Sequence, residues 1–455
     1  MSDVDVVPVP DPGLGNHSYV IGLGDGSAAV IDPVRDPAAY LELAEARGWQ
    51  IRCAVETHLH ADFLSGSREL AGYGAGVVLP AASHVAFPAT GLEDGGQLDL
   101  AGLTLEAIAT PGHTPEHLAY LLRDGSTPLA LFSGGALIPG GVARPDLLGP
   151  AHTRPLAGAA YRSLRDRLLR LPDDLPVHPT HGAGSFCSTG AGAGGSTTIG
   201  AERAHNQLLA AGDEDDFVDR LLGSLGSYPP YFLELRDVNR AGPAVLGPQP
   251  PPLTALSPAE VAAQVADGAE LVDVRAIDAF AQAHVPGSLS IPLREQFAVW
   301  LGWLVDRRRP VVFVADAATD RVELVRECLK IGYERMAGEL SSGMDGWRAA
   351  GRPTAGIPLV TPDAAGSDRV VLDVRQHAEW DGGHLPDATH LELGALPAHL
   401  DRLRERPLLV HCGHGERAMT AASLLERAGH RDVVVLAGSA DELAGTRGDR
   451  LVPGG

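Results

Sequence analysis

The sequence predicts an α/β protein of three blocks: an N-terminal sandwich of two sheets flanked by helices, then two smaller α/β domains with central parallel sheets. Two breaks in composition support this division, because residues 241–258 and 349–368 are dense in Pro, Gly and small side chains. A length of 455 residues also fits three domains of roughly 150 residues each. The predicted domains are residues 1–245, 255–355 and 360–455.

Short apolar strands characterise the first block. Runs such as VIGLGDGSAAVID, RCAVETH and LTLEAIAT are separated by loops rich in Gly and Pro. Two segments have the periodicity of helices, ADFLSGSRELAGYG and LAGAAYRSLRDRLLRL. Strand-rich halves with a few interspersed helices predict two packed sheets with helices on their outer faces.

Two segments of the remaining chain match each other at an offset of 100 residues. The sequence LVDVRAIDAFAQAHVPGSLSIPL at 271–293 aligns with VLDVRQHAEWDGGHLPDATHLEL at 371–393. Each copy then continues with an aliphatic strand, a loop and an amphipathic helix. A repeat of about 100 residues is too long for a solenoid, so it predicts a duplicated α/β domain.

The overall composition bears on partners and location. Acidic residues outnumber basic ones by 58 to 36, and the net charge of −22 disfavours binding to nucleic acids or anionic membranes. No run of 18 uninterrupted apolar residues predicts a membrane span, and the acidic, proline-broken N-terminus does not resemble a signal peptide. We therefore expect a cytoplasmic protein, and self-association into a homo-oligomer is compatible with the sequence.

The cysteines are too few and too scattered for a disulfide framework, which indicates a reducing compartment. Their positions are Cys53, Cys187, Cys328 and Cys412. We interpret the first three as core residues and the last as a reactive thiol.

Histidines of the first block gather where predicted strands end. THLHADFLSG places His58, His60 and Asp62 at alternating positions, and His113 and His181 follow later strands. Alternation in an extended segment lets several side chains converge on one ion, and rigid strand ends are where binding groups usually lie. Imidazoles and a carboxylate suit Zn²⁺ or Fe²⁺, so the pattern predicts a metal site.

The first block resembles the metallo-β-lactamase superfamily, and in particular its persulfide dioxygenase branch, with glyoxalase II as a more distant relative. The resemblance rests on THLHAD, TPGHTPEH, LFSGGAL, ARPDLLG and PTHGAGSFC, which occur in family order. It implies an αββα sandwich and a ferrous ion bound by His58, His113 and an aspartate at position 135. It also implies roles around the metal or at the substrate for a further group of residues, namely Asp62, His181, Arg144 and Asp146.

The chain departs from this family pattern at two positions. Position 135 is a glycine, so the carboxylate ligand is absent, and Phe63 replaces a histidine that a second metal would need. Three arrangements follow. His58, His60 and His113 form a three-histidine site for one Fe(II) or Zn(II), or His58 and His113 hold iron with water, or the site is empty and the domain is a scaffold.

The third block contains a cysteine at the end of a predicted strand, within LLVHCGHGERAMTAASLL. Glycines after Cys412 let backbone N–H groups turn inward, and the N-terminus of the following helix faces the sulfur. Arg417 adds a positive charge, so we expect a lowered thiol pKa and a stabilised persulfide. The predicted cradle consists of the loop residues Gly413, His414, Gly415 and Glu416.

Both later blocks resemble rhodanese sulfurtransferase domains, and the six-residue loop CGHGER matches the sulfurtransferase loop length. The resemblance implies that Cys412 carries a persulfide. In the middle block the corresponding loop ADAATDR has Ala315 or Asp316 at the nucleophile position, and Cys328 falls within the following helix. We therefore interpret the middle domain as an inactive rhodanese.

Three hypotheses for function follow. The first is a sulfur-metabolism enzyme that oxidises a small thiol persulfide to sulfite, transfers sulfane sulfur through Cys412, or does both, with thiosulfate or sulfite as partners. The second is a zinc-dependent thioester hydrolase similar to glyoxalase II. The third is a sulfur-delivery protein with a metal-free first domain. The sequence leaves the identity of the thiol and the direction of transfer open.

Overall fold

The computed structural model describes residues 4–189, 195–247, 249–403 and 406–454. The chain divides into two compact units. The first consists of residues 1–250 together with 326–332, and the second consists of 251–325 and 333–455. The three domain boundaries predicted from composition stay a prediction.

The first unit contains two six-stranded sheets. The first sheet has the order β1-β2-β3-β4-β5-β6, antiparallel up to β3 and parallel thereafter. Its strands are β1 (Asp5–Asp11), β2 (Asn16–Gly22), β3 (Ser27–Ile31), β4 (Gln50–Val55), β5 (Gly76–Pro80) and β6 (Thr90–Leu92).

The second sheet has the order β12-β11-β10-β9-β8-β7 and is antiparallel except between β10 and β11. Its strands are β7 (Gln97–Leu100), β8 (Leu103–Ala109), β9 (Leu118–Asp124), β10 (Thr127–Gly134), β11 (Pro176–Pro179) and β12 (Thr197–Thr198). Tyr19 and Ile31 of the first sheet share one buried cluster with Leu105 and Phe132 of the second, so the two sheets pack face to face.

Helices cover the outer faces of this sandwich, which confirms the predicted αββα architecture. Tyr40 and Leu70 pack on the first sheet, and Leu164 and Phe217 pack on the second. The acidic first turn of the helix that contains Phe217 is capped by Asp213, whose carboxylate accepts the N–H of Asp216. The helices are α1 (Ala38–Arg47), α2 (Ser67–Ala71), α3 (Pro150–Asp166), α4 (Ile199–His205), α5 (Glu214–Gly223) and α6 (Phe232–Ala241).

The second unit contains two five-stranded sheets, each parallel throughout, as predicted for the two later domains. The first has the order β13-β17-β16-β14-β15 and the second β18-β22-β21-β19-β20, so the copies share one topology. The strands of the first copy are β13 (Ala255–Leu256), β14 (Glu270–Asp273), β15 (Leu289–Ser290), β16 (Val311–Val314) and β17 (Met336–Leu340). Those of the second copy are β18 (Leu359–Val360), β19 (Val370–Asp373), β20 (Thr389–His390), β21 (Leu408–His411) and β22 (Val433–Leu436).

The helices of the two repeat copies follow the same order, and residues 326–330 at the end of α10 belong to the first compact unit. The first copy has α7 (Pro258–Ala266), α8 (Ile277–Gln282), α9 (Phe297–Leu304), α10 (Arg321–Lys330) and α11 (Gly343–Ala349). The second copy has α12 (His377–Asp381), α13 (Glu416–Arg427) and α14 (Ala440–Arg447). An aromatic ring stacks on a histidine at the same repeat position in both copies, Phe280 on His284 and Trp380 on His384. Among the described residues, no helix is both long and apolar enough to cross a membrane.

Candidate metal centre and sulfur-carrying loop

The ends of three strands bring the predicted histidines of the first unit together. His58 and His60 follow β4, His113 follows β8 and His181 follows β11. The four side chains are at most 3% exposed. The ring centroid of His58 lies 4.2 Å from that of His60, 4.8 Å from that of His113 and 5.4 Å from that of His181. A cluster of buried imidazoles is therefore present where the sequence predicts a metal site.

Hydrogen bonds fix the orientation of the His58 ring. The Thr57 hydroxyl donates to the Asp32 carboxylate at 2.7 Å, so its oxygen accepts the Nδ1–H of His58 at 2.8 Å. Asp32 also accepts the backbone N–H of Thr57 at 2.7 Å, which holds the whole strand end in place. The Nε2 lone pair of His58 consequently points into the histidine cluster.

Two further rings are oriented by the same principle. The Nδ1–H of His113 donates to the carbonyl oxygen of Arg144 at 2.7 Å, and the Nδ1–H of His181 donates to the amide oxygen of Asn16 at 3.1 Å. Both acceptors lack a proton on the bonded oxygen, so each Nε2 carries a lone pair. Anchoring one ring nitrogen and leaving the other as an acceptor is how proteins prepare histidines to bind metal.

The geometry between these nitrogens favours a bound cation. The Nε2 atoms of His58 and His181 are 3.5 Å apart. Two nitrogens bound at about 2.0–2.1 Å to a tetrahedral zinc ion lie roughly 3.4 Å apart. Burial lowers the pKa of His181 to about 3 and that of His113 to about 3, so both rings are neutral. Facing lone pairs at this distance repel each other unless a cation lies between them.

His60 is held differently from the other three. Its Nε2 lies 3.1 Å from a Glu56 oxygen and 3.2 Å from an Asp32 oxygen. Burial opposes a charge on this ring, but the two carboxylates outweigh burial and raise the pKa of His60 to about 10. Its buried Nδ1 has no hydrogen-bond partner within the described part of the chain. Phe63, which replaces a family histidine, stacks on the His60 ring at 4.2 Å between centroids.

The remaining predicted residues of this site serve as supports. The Asp62 carboxylate accepts from the Asn16 amide at 2.6 Å and lies 3.5 Å from Nδ1 of His181. The Arg144 guanidinium forms a bidentate ion pair with Asp146 at 2.7 and 2.9 Å, and stacks over the ring of Tyr228. Arg144 therefore reaches the histidine cluster through its backbone rather than through its charge.

Position 135 has no room for the family's aspartate. A Cβ atom on Gly135 would lie 2.7 Å from Cβ of Ala143 and 3.1 Å from Cδ2 of His113. The Gly135 N–H donates to Nε2 of His117 at 3.0 Å, which ties this turn to a further ring. The residues present fit a divalent ion bound through imidazoles, since Nε2 of His113 is buried and unpartnered among the described residues. They do not fit the two-histidine, one-aspartate set.

We predict that Gly135→Ala lowers the free energy of unfolding by about 1–3 kcal/mol, because the added methyl group overlaps that of Ala143. The backbone at Gly135 is outside the left-handed region, so steric overlap is the main cost. Urea denaturation measures the change. Combining Gly135→Ala with Ala143→Gly should recover most of the loss relative to Ala143→Gly alone, and equal stability of Gly135→Ala and the parent would contradict the overlap.

The loop after β21 places Cys412 at the N-terminus of α13. Cys412 is 1% exposed, and its sulfur accepts the backbone N–H of Gly415 at 3.1 Å. Gly415 has φ of 104°, which a glycine adopts without strain. In the described part of the chain, the sulfur accepts no hydrogen bond from Gly413, His414 or Glu416, unlike the prediction of several donors. The cradle of several backbone donors stays a prediction, with Gly415 as the donor that the structure shows.

Arg417 lies over this loop in an ion pair that the sequence did not predict. Its guanidinium donates to both oxygens of Glu379, at 2.6 and 2.8 Å. Its nearest nitrogen lies 3.6 Å from where a Cβ on Gly413 would be, so a side chain there would contact the guanidinium. Burial lowers the pKa of Arg417, but Glu379 more than compensates and the net shift is upward. Arg417 is therefore a fixed, partly neutralised cation.

The middle domain has no nucleophile in the corresponding loop. Val314 pairs with Asp273 as His411 pairs with Asp373, so Ala315 is the counterpart of Cys412. This register resolves the choice between Ala315 and Asp316. Ala315 instead lines a cavity of about 520 Å³. The thiol of Cys328 is fully buried, as predicted for a core residue.

Several residues that shape these sites carry weak signals in the sequence. Asp32 and Asn16 act from positions distant in sequence, whereas Glu56 lies four residues before His60 in the same segment. For Glu379 the repeat offers a signal, because the two copies differ at this position. The copy without the loop cysteine has Ala279 where the copy with Cys412 has Glu379. Cys187, interpreted as a core residue, has its sulfur within 4.8 Å of ligand atoms of two of the clustered histidines.

Comparison with known families supports both halves of the chain. The model of the metallo-beta-lactamase superfamily matches residues 11–193. The model of the rhodanese-like domain matches twice, at residues 257–350 and 362–445.

Individual relatives agree with this assignment. A human mitochondrial protein described as persulfide dioxygenase ETHE1 is 30% identical over 232 residues, which is 49% of this chain and 82% of the relative. A hydroxyacylglutathione hydrolase of Pseudomonas entomophila is 38% identical over 154 residues, 34% of this chain and 56% of the relative. A crystal structure described as a metallo-beta-lactamase from Staphylococcus aureus is 28% identical with a TM-score of 0.67, and covers 74% of this chain and 99% of that one.

Proposed function

Because the chain belongs to the metallo-beta-lactamase superfamily and carries two rhodanese-like domains, we propose that it oxidises a small thiol persulfide to sulfite and transfers sulfane sulfur through Cys412. Its relationship to a persulfide dioxygenase and its rhodanese domains support a role in sulfur metabolism. The observation that carries the first activity is the convergence of buried imidazoles at the strand ends of the sandwich.

The first reaction balances as R–S–SH + O₂ + H₂O → R–SH + H₂SO₃. The outer, sulfane sulfur is oxidised, dioxygen is reduced, and the S–S bond breaks to release the thiol. We assign the binding of one divalent ion, Fe(II) or Zn(II), to the histidine cluster of His58, His113 and His181. The ligand role predicted for His60 from the sequence is not included, because Glu56 and Asp32 hold its Nε2. When bound as Fe(II), the ion supplies sites at which a sulfur ligand and dioxygen meet.

The chain's own residues orient this site. Thr57 and Asp32 hold the His58 ring through its Nδ1–H, and Arg144 holds the His113 ring through its backbone carbonyl. Asp62 and Asn16 position His181 at the opposite side of the cluster. Burial of the cluster excludes bulk water, which would compete with the persulfide sulfur for the metal.

The second reaction takes place at Cys412. Its thiolate attacks the outer sulfur of thiosulfate or of a persulfide, a new S–S bond forms, and the electron pair of the old S–S bond leaves on sulfite or on the thiol. The Gly415 N–H and the N-terminus of α13 stabilise the negative sulfur. In this proposal Arg417, which is held by Glu379, contributes positive charge toward an anionic donor or leaving group.

A thioester hydrolase with zinc is the second candidate, favoured by the identity to hydroxyacylglutathione hydrolases. It uses the same histidines but consumes no dioxygen. The dioxygenase breaks an S–S bond and consumes dioxygen, whereas the hydrolase breaks a thioester bond. Measuring dioxygen uptake and thioester hydrolysis on the same protein therefore separates the two candidates.

The deciding experiment combines elemental analysis of the purified chain with dioxygen uptake on glutathione persulfide. We expect about one Fe or Zn per chain, and with iron we expect sulfite formed in equal amount to the dioxygen consumed. Hydrolysis of a glutathione thioester without dioxygen uptake would support the second candidate instead. Protein that contains no metal and cannot be reconstituted would refute both.

A further inference from the structure

Cys187 lies next to the histidine cluster rather than in an ordinary apolar core. Its side chain is fully buried, and its sulfur lies within 4.8 Å of ligand nitrogens of His113 and His181, which are within the same distance of each other. Among the described residues, the other two cysteines interpreted as core, Cys53 and Cys328, belong to no such group. The location therefore sets Cys187 apart from cysteines of equal burial.

One imidazole of this group presents a free acceptor nitrogen, and the Nε2 of the other, His181, lies 3.5 Å from Nε2 of His58. His113 uses Nδ1 to bond the Arg144 carbonyl, and its Nε2 is buried with no partner among the described residues. His181 uses Nδ1 to bond Asn16. An unpartnered acceptor nitrogen deep in a protein is costly unless a proton or a metal occupies it.

One residue fixes both His113 and Cys187. The Arg144 carbonyl accepts from His113 at 2.7 Å, and the Arg144 N–H donates to the carbonyl of Cys187 at 2.8 Å. The Arg144 side chain holds the same segment again by donating to the carbonyl of Phe186 at 3.1 Å. The backbone N–H of Cys187 further donates to the Ser185 hydroxyl at 3.3 Å. The sulfur is thus held at a defined distance from the ring.

A thiolate would restore the anionic ligand that the family has at position 135. Position 135 is glycine and its surroundings exclude a carboxylate, as the contact with Ala143 shows. The buried carboxylates nearby are engaged with other groups, Asp32 and Glu56 with His60, and Asp62 with Asn16 and the Cys187 thiol. A thiolate supplies one negative charge, and Zn(II), Co(II) and Fe(II) all accept mixed nitrogen and sulfur ligands.

We propose that Cys187 binds the metal as a thiolate together with His113 and His181, and so replaces the anionic ligand that position 135 lacks. Binding forms a metal–sulfur bond and releases the thiol proton to solvent, with no change of oxidation state. This assignment rests on the proposed function only in placing a metal at the histidine cluster. It does not depend on which reaction the metal serves.

Cobalt(II) loaded into the metal-free chain tests the assignment, because a thiolate ligand produces an intense near-ultraviolet charge-transfer band that nitrogen and oxygen ligands do not. We expect this band in the parent chain, its loss in Cys187→Ser, and its retention in Cys53→Ser, the matched buried control. Loss of a direct ligand should also lower the affinity for zinc, measured by chelator competition. We expect at least the 10–100-fold loss that follows removal of a residue hydrogen-bonded to a metal ligand.

X-ray absorption of the zinc-loaded parent chain tests the assignment without a variant, and should show a Zn–S distance of about 2.3 Å. A band that persists in Cys187→Ser, or bound metal without a sulfur neighbour, would overturn the thiolate assignment while leaving dioxygen uptake intact. A sulfur-bound metal without persulfide oxidation would support the assignment and refute the proposed reaction. A chain that binds no metal at all would overturn the assignment.

Discussion

Replacing Cys412 by serine is expected to reduce sulfur transfer from thiosulfate by at least about 10³-fold, to the background rate. The serine hydroxyl accepts the Gly415 N–H as the sulfur does, but it is not ionised at neutral pH and cannot carry a sulfane sulfur. Sulfite release from thiosulfate in the presence of an acceptor thiol measures the loss. Mass spectrometry of the parent chain after brief exposure to thiosulfate should show one added sulfur on Cys412.

Cys328→Ser is the matched control for this prediction. Cys328 is fully buried in α10 of the inactive copy, and a serine there is able to bond the preceding helical turn. Sulfur transfer in this variant should equal that of the parent.

Removing the metal with a chelator should also leave sulfur transfer unchanged, because the reaction uses only the Cys412 loop. Transfer that survives Cys412→Ser would show that another thiol carries the sulfur.

The duplicated domain is the part of the fold that the sequence predicted in most detail. An offset of 100 residues placed Asp273 opposite Asp373, and the two parallel sheets pair these residues with Val314 and His411 in the same register. We expect such agreement, because buried parallel strands appear in a sequence as short aliphatic runs. The hydrophobic pattern alone is therefore enough to locate them. The same register then identified Ala315 as the counterpart of the nucleophile.

The sandwich was predictable in class but not in the contacts that decide its chemistry. His58, His60 and His113 were identified because strand ends carry binding groups and because the motifs match a family. The carboxylate partners of His60 were not identified. Glu56 lies four residues before His60 without forming a recognised motif, and Asp32 reaches it from the end of the neighbouring strand β3. The pairing of β3 with β4 creates the Asp32 contact, and only tertiary structure shows it.

Cys187 illustrates the same limit for a single residue. In sequence it is a lone cysteine after a glycine-rich segment, which ordinarily indicates a small core residue. Its position beside His113 depends on the backbone of Arg144, which forms hydrogen bonds with both residues. His113 and Cys187 are 74 residues apart in the sequence. The lack of a carboxylate at position 135 was visible in the sequence. The Cys187 thiol, which we propose as its replacement, was not identified from the sequence.

Replacing His58 by alanine is expected to reduce the metal content of the purified chain by roughly tenfold or more. The variant removes the ring whose Nε2 lies 3.5 Å from that of His181, and so removes a nitrogen central to the cluster. Because a ligand present at a hundredfold excess over its Kd stabilises the folded state by about 2.7 kcal/mol, chelation should lower the Tm of the parent chain. It should leave the Tm of His58→Ala nearly unchanged. Elemental analysis and thermal unfolding with and without chelator measure both effects.

His205→Ala is the matched control, because it removes an exposed histidine at the end of α4 whose ring bonds only the preceding turn in the described part of the chain. Its metal content and its response to chelator should match those of the parent. Sulfur transfer by Cys412 should be equal in the parent, His58→Ala and His205→Ala, since that loop has its own donors in Gly415 and Arg417. A His58→Ala chain that keeps its metal and still loses stability on chelation would place the ion elsewhere, and would contradict a centre built on the strand-end histidines.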